Sequence, residues 1–273
     1  MMRWLPVARK ELRALWRDRT VKAGTALIAL VFVFVGYALP TSVPEPTMAD
    51  YDASIRDLLL FVVPLFGLLL GYRAVVGERT SGRLTLVLSF PHSRGDVVVG
   101  KAAGRGVILA GTTAIGVLLG AALVAYPFGT VDPTTLSAYL GATLLFGGAY
   151  LSIGMALSTL TASLRRATVL TFGVFFLFAV AWPQLDSLLL QVLVYLDLAS
   201  DTLPDWARFL HGAEPGMLYR RVVDTYVSTA AASEASGAEA PWYLDGWVAV
   251  GLLHAWVVGP TLAGYLRFRG SDL

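Results

Sequence analysis

Six predominantly apolar runs, 23–39, 55–77, 102–126, 136–160, 167–185 and 246–266, divide this 273-residue chain. Each reaches or approaches the ~20 residues that a helix needs to cross the hydrocarbon of a bilayer. Inside lipid the backbone must satisfy its own polar groups, which only helices and closed barrels do. The strict alternation of barrel strands is absent, so the runs are read as helices. Charged residues make up 15% of the chain, where a soluble domain carries about a quarter. The fold expected is an all-α integral membrane protein with six transmembrane helices. A charged stretch of 22 residues precedes the first run. That order suits an anchored span better than a signal peptide, whose basic region is short.

Orientation follows from charge. If the N-terminus is cytoplasmic, the inward segments 1–22, 73–105, 161–167 and 267–273 hold 17 of the 21 Lys and Arg and 5 of the 19 acids. Lys and Arg are retained on the cytoplasmic side during insertion. The chain is therefore expected to be a multi-pass protein of the cell membrane with both termini in the cytoplasm.

Residues 3–20, RWLPVARKELRALWRDRT, place Leu5, Ala8, Leu12, Leu15 and Trp16 at helical spacing, with Arg9, Lys10, Arg13 and Arg17 on the other faces. This is a basic amphipathic helix that can lie at headgroup level. The longest outward connection, 187–243, is not uniform. Ser187–Leu198 is apolar but too short to cross, and reads as a re-entrant or interfacial helix. Pro204–Val227 is amphipathic, and 229–241 is small and polar. The glycine pairs Gly100/Gly104 and Gly116/Gly120, with Gly141, Gly147, Gly148 and Gly154, predict close helix packing within the chain. Pro64, Pro183 and Pro260 are expected to kink their spans.

Few residues point to chemistry. There is no cysteine, no GxxxxGK[ST] phosphate loop and no HExxH, so thiol chemistry and those two devices are excluded. Of five methionines only Met155 lies in a span, so no thioether path for cuprous ions exists and no metal site is expected. His254 lies within the last span, where a polar group is either functional or bonded to a neighbouring hydroxyl or carbonyl. Asp186, at the outer end of the fifth run, is either an intramembrane carboxylate or a residue that ends the span. Ser152 or Ser158 with His254 would be needed for a remote alternative, an intramembrane protease; the nucleophile turn of such enzymes is missing.

The inward stretch GERTSGRLTLVLSFPHSRGDVVVGK, residues 77–101, is the longest inner connection. Leu84, Leu86, Val87, Leu88 and Phe90 are apolar in a segment too short to cross. Pro91 ends a preceding helix, and Ser93 or Asp96 can cap a new one, with Arg94 and Lys101 flanking it. Two short helices along the inner surface are expected, with apolar knobs suited to a partner's groove.

These residues resemble the permeases of ABC-2-type transporters: Glu78, then Ser81-Gly82, Leu84–Leu88, Pro91, Ser93-Arg94 and Gly100-Lys101. Ala8–Leu12, ARKEL, is similar to the start of that family's elbow helix. Val63–Glu78 and Gly104–Ala110, and more loosely Glu214–Arg221, resemble segments of NosY-like permeases of the NosDFY system, which supports nitrous oxide reductase maturation. The resemblance implies a single permease domain, with an elbow helix over 3–20, a coupling segment over 78–101 and an outer segment over 187–243. It implies a second permease copy, as a homodimer, and a separate cytoplasmic ABC ATPase subunit that binds ATP and Mg; this chain itself would hold no cofactor and catalyse nothing. Leu84, Leu88, Pro91, Ser93, Arg94 and Asp96 would couple to the ATPase, and Arg9, Lys10, Leu12 and Trp16 of the elbow helix would complete the contact. Arg73, Glu78 and Arg105 would form an inner gate. Cargo export is the function implied. The alternative is a membrane subunit that transmits ATPase motion to an extracytoplasmic accessory protein without solute flux. Beyond these, the lipid bilayer is the only other partner expected, and nucleic acid is not one.

Overall fold

The computed structural model describes residues 4–38, 47–84, 89, 93–128, 131–198, 202–228 and 241–270. Among these there is no strand, and six helical segments are long and apolar enough to span a membrane. The amphipathic helix α1 (Leu5–Arg17) is followed by α2 (Arg19–Ala38) and α3 (Met48–Gly71). A one-turn helix, α4 (Val76–Thr80), precedes α5 (Arg94–Phe128) and α6 (Pro133–Leu160). Then come α7 (Leu164–Phe175), α8 (Leu185–Tyr195), α9 (Asp205–Gly212), α10 (Pro215–Tyr226) and α11 (Gly246–Arg269). The end of the bundle that carries α1 and α4 is called inner below, as the charge count assigns it.

Helix α6 is the axis on which the bundle is built. Of its most apolar window 67% is buried within the chain, against 11% for the fifth span, which is left facing outward. Asp132 opens α6 by accepting from the Thr135 N–H at 2.8 Å, with Pro133 in the first turn. Thr47 and Asp50 open α3 in the same way, each side chain bonding the other's backbone N–H. Helices α3 and α11 lie along α6, and α2 lies along α5. The approach of α3 to α6 requires glycine. A Cβ at Gly71 would sit 2.6 Å from the Leu151 carbonyl oxygen, and one at Gly154 would sit 2.8 Å from that of Leu68.

The structure corrects the expectation for the outer connection. The fifth span does not stop near residue 185. It widens into a π turn over Phe176–Ala181, tightens over Trp182–Gln184, and continues as α8 to Tyr195. Pro183 lacks an N–H, and the two altered turns absorb it; the Trp182 N–H reaches back to the Leu177 carbonyl. The apolar run Ser187–Leu198 is thus mostly a continuation of the span. The element that turns back into the bundle is the α9–α10 hairpin. Trp256, midway along α11, donates to the Ala213 carbonyl at 2.8 Å. The hairpin elbow therefore lies about 15 Å below the outer end of α11. Tyr219 of α10 stacks on Phe146 of α6 with centroids 4.6 Å apart. Helices α3 and α11 run through Pro64 and Pro260.

The glycine contacts yield a matched test. Gly71→Leu drives a side chain into α6 backbone and should cost about 1–3 kcal/mol or more. Gly141, whose Cβ position meets nothing within 4 Å, should accept leucine without loss. Thermal unfolding of the two purified variants in detergent measures the difference.

Candidate functional site

Burying an acid is the first problem that α1 sets. Its inward face is Val7, Ala8, Glu11 and Leu15; of the expected stripe Ala8 and Leu15 are buried, Leu5 and Leu12 half-buried and Trp16 exposed, so the buried face is rotated by part of a turn. That face rests on Gly100 and Gly104 of α5. A Cβ at Gly100 would fall 2.7 Å from the Trp4 carbonyl oxygen, and one at Gly104 would fall 2.9 Å from that of Ala8. The close approach carries Glu11, only 6% exposed, down onto the same face of α5. One residue beyond each glycine stand the cations that receive it. Lys101 Nζ lies 3.3 Å from Glu11 Oε2, and the Arg105 guanidinium pairs with Oε1.

The junction extends beyond this pair. Lys101 also meets Glu78 of α4 at 3.0 Å, and Lys10 meets Glu78 from the rim at 3.6 Å. Arg105 donates to the Leu70 carbonyl at the inner end of α3, supplying a cation where helix carbonyls lack partners. The turn after α3 is fixed from the other side. Ser158 Oγ of α6 accepts from the backbone N–H groups of Val75 and Val76 at 2.9 and 3.0 Å. Two carboxylates and two buried cations thus balance in charge and join α1, α3, α4 and α5. A cavity of about 340 Å³ opens beside them, with Glu11, Arg73, Glu78, Arg83, Lys101 and Arg105 in its wall. Glu78 Oε2 and Arg105 Nε are buried there without a hydrogen-bond partner among the described residues.

Burial pushes the Glu11 carboxyl upward, but Arg105 and Lys101 outweigh it and hold the group below its ordinary value of 4.5. A depressed carboxylate contributes stability that is complete above the unfolded value and is lost as pH falls through the folded one.

The sequence-predicted residues fall into several groups. Glu78 and Arg105 both belong to the junction, linked through Lys101 and Glu11; Arg73 lines its cavity but forms no ion pair among the described residues. Of the α1 residues, Lys10 reaches Glu78, Leu12 is half-buried, and Arg9 and Trp16 are exposed. Leu88, Pro91 and most of the expected helix before Pro91 lie outside the described residues. Leu84 is a core residue, 1% exposed. Ser93 and Asp96 do cap a helix, each bonding the other's backbone N–H at 2.8 and 3.0 Å. That helix is not a separate short one, however. It is the first turn of the 35-residue α5, because nothing in Val97–Gly104 breaks a helix that α1 covers. Arg94 faces the chain's own last helix, donating to the Phe268 carbonyl at 2.6 Å and lying over that ring.

Neither membrane-embedded candidate sits in a polar site. Asp186 is exposed in the first turn of α8, and His254 is exposed with Nδ1 donating to the Val250 carbonyl at 2.8 Å. The protease alternative needs a Ser–His pair, and the structure assigns its serines elsewhere. Ser158 caps the turn before α4, and Ser152 bonds Thr261 at 2.8 Å. Sequence reasoning missed Glu11 and the role of Lys101. The signal was an acid inside a basic helix, and two cations four residues apart following a GxxxG.

A second polar cluster, near the outer end, also went unread. Asp52, fully buried, pairs with Arg56, which reaches Asp224 of α10 at 2.7 Å. Glu214 caps α10 and accepts from the Tyr150 hydroxyl at 2.7 Å.

With this geometry in place, residues 5–273 match the family described as ABC-2 family transporter protein. The chain belongs to the ABC-2 transporter family. As an ABC-2 family member it is a multi-pass membrane permease. It is 33% identical over 225 residues to a protein named probable ABC transporter permease protein NosY from Pseudomonas aeruginosa, covering 79% of each chain. It is 33% identical over 195 residues to the protein of the same name from Stutzerimonas stutzeri, covering 69% of this permease and 70% of that relative.

Removing one partner from a buried ion network leaves the others uncompensated, at a cost of about 3–5 kcal/mol. Lys101→Met should therefore loosen α1, seen as faster protease cleavage on its N-terminal side. Lowering the pH through the depressed Glu11 value should loosen α1 in the parent, and Glu11→Gln should remove that acid-dependent step.

Proposed function

We propose that this ABC-2 chain is the permease subunit of an ATP-driven transporter. It works as a pair of copies moved by a separate cytoplasmic ABC ATPase, which binds the ATP and Mg. The observation that carries this reading is the junction. It joins α4 and α5, the helices on either side of the inner connection, to α1 and α3, and Arg94 ties the start of α5 to the end of α11. A push on the loop between Leu84 and Ser93 would therefore reach the second, third and last spans together. Leu88 and Pro91, which fall between those two residues in sequence, are the ones proposed to meet the ATPase groove, with Arg9 and Lys10 of α1 completing the contact. Arg73, Glu78 and Arg105 are proposed to open and close the inner end. The proposed setting is a NosY-like copper-enzyme maturation system with cargo export as its activity, a reading that the 33% identity to NosY supports.

A second reading has its own support. Trp182 and His211 clasp the fifth span to the α9–α10 hairpin. Trp182 Nε1 donates to the His211 carbonyl at 2.9 Å, and His211 Nε2 donates to that of Trp182 at 3.1 Å. Beyond this clasp, Tyr195, Leu198, Trp206 and Leu210 are large and exposed. An outer partner protein driven by the hairpin, with no solute crossing, fits that surface. Flux in reconstituted vesicles separates the two readings.

Leu88→Asp should lose the ATPase on co-purification while thermal stability stays at the parent value. Arg94→Ala should lower stability as well, because it uncaps α11. Full ATPase recovery with Leu88→Asp would overturn the docking assignment.

A further inference from the structure

Where α1 turns into α2, the two helices and α5 enclose a groove of about 760 Å³ whose lining contains none of the charged residues of the junction. Its mouth and its floor differ in character. Arg13, Arg17 and Lys22 stand at the mouth, all exposed, and none forms an ion pair among the described residues. The nearest acid in sequence, Asp18, is occupied in capping α2, its Oδ1 accepting from the Thr20 N–H at 2.7 Å. No acid lines the groove among the described residues. The floor is Ala26, Ala29, Val107, Gly111 and Ile115, and the Thr25–Thr112 hydroxyl pair, 3.0 Å apart, is turned onto itself. Gly111 leaves open space where a side chain would stand. Trp16, 71% exposed, forms one wall.

We infer that this groove is a binding site for one anionic phospholipid of the inner leaflet, its headgroup held by Arg13, Arg17 and Lys22 and one acyl chain laid along α5. The dimensions fit. From Val107 to Ile115 the floor runs about 12 Å, most of the ~15 Å depth of one leaflet's hydrocarbon. The chemistry fits as well: guanidinium groups match phosphate geometry, and Trp and Arg sit at the headgroup boundary. A second copy of this chain is the poorer occupant. A twofold contact through the same face would set the three cations against their own symmetry mates. Arg13, Arg17 and Lys22 take no part in the charge junction, so the groove's affinity for lipid can be tested without disturbing that junction.

The test uses the full chain in phosphatidylcholine nanodiscs that contain phosphatidylglycerol. A phosphatidylglycerol probe with a photoreactive acyl chain is added, and the attachment points are mapped by mass spectrometry. A phosphatidylcholine probe with the same chain serves as control. Attachment should concentrate on residues 107–115 and 22–29 for the anionic probe. Each cation near an anionic headgroup is worth about fivefold in affinity, so Arg13→Ala/Arg17→Ala/Lys22→Ala should weaken occupancy by roughly a hundredfold. Gly111→Trp keeps the charges and should remove attachment to 108–115 by filling the floor. Arg165→Ala/Arg166→Ala, a basic pair at the start of α7, should change nothing. Equal labelling by the zwitterionic probe, indifference to either groove variant, or equal loss with the α7 pair would overturn the site. Cross-links joining two copies through the groove would overturn it too.

Discussion

An acid carried into an apolar interface must find a cation there or leave. Glu11 sits on the buried face of α1 because Gly100 and Gly104 allow that helix to lie directly on α5, and it stays because Lys101 and Arg105 follow those glycines. Remove the glycine step and the charges cannot meet. Remove the charges and the step holds only a weak apolar contact. The two features form a single device, and the inner half of the molecule is arranged around it.

Such a device contributes less to net stability than to placement. Buried ion pairs roughly break even against apolar residues of the same shape, but they punish misplacement severely. The junction therefore specifies where α1 rests, how α3 ends and how α4 turns away. Gly82, at φ +71°, completes that turn in a conformation that favours glycine. Arg94 makes the corresponding link to α11, so the connection between the second and third spans is bonded at both ends to the bundle it joins. Two buried polar atoms left unpaired in the junction, Glu78 Oε2 and Arg105 Nε, mark where alternative pairings have room to form. Near the outer end, the Trp182–His211 clasp joins the α9–α10 hairpin to the fifth span just after its π turn, a distortion common at functional positions.

The spans were legible because a run of apolar residues about 20 long has few alternatives in lipid. The α5 start was half legible. Ser93 and Asp96 signalled the cap, but a local reading could not show that α1 would cover Gly100 and Gly104 and keep one helix running to Phe128. The fifth span was misjudged at Pro183, since a π turn that absorbs a proline has no periodic signature. Arg94 was read as a docking charge because its partner, the Phe268 carbonyl, lies at the far end of the chain. Glu78 and Arg105 were read with Arg73 as one inner gate, from their places near span ends. Glu11 and Lys101, which connect them, were hidden by their neighbours: one in a basic helix, the other beside a glycine that seemed to serve packing alone.

The central claim is that motion imposed on the inner loop reaches the spans through this junction. In the proposed complex of two permease copies with an ATPase, spin labels placed at Trp247 of each copy report the separation of the outer ends of the last spans. The account predicts a nucleotide-dependent change in that separation, and its disappearance in Glu78→Gln with the ATPase still bound. An unaltered change in Glu78→Gln would contradict it.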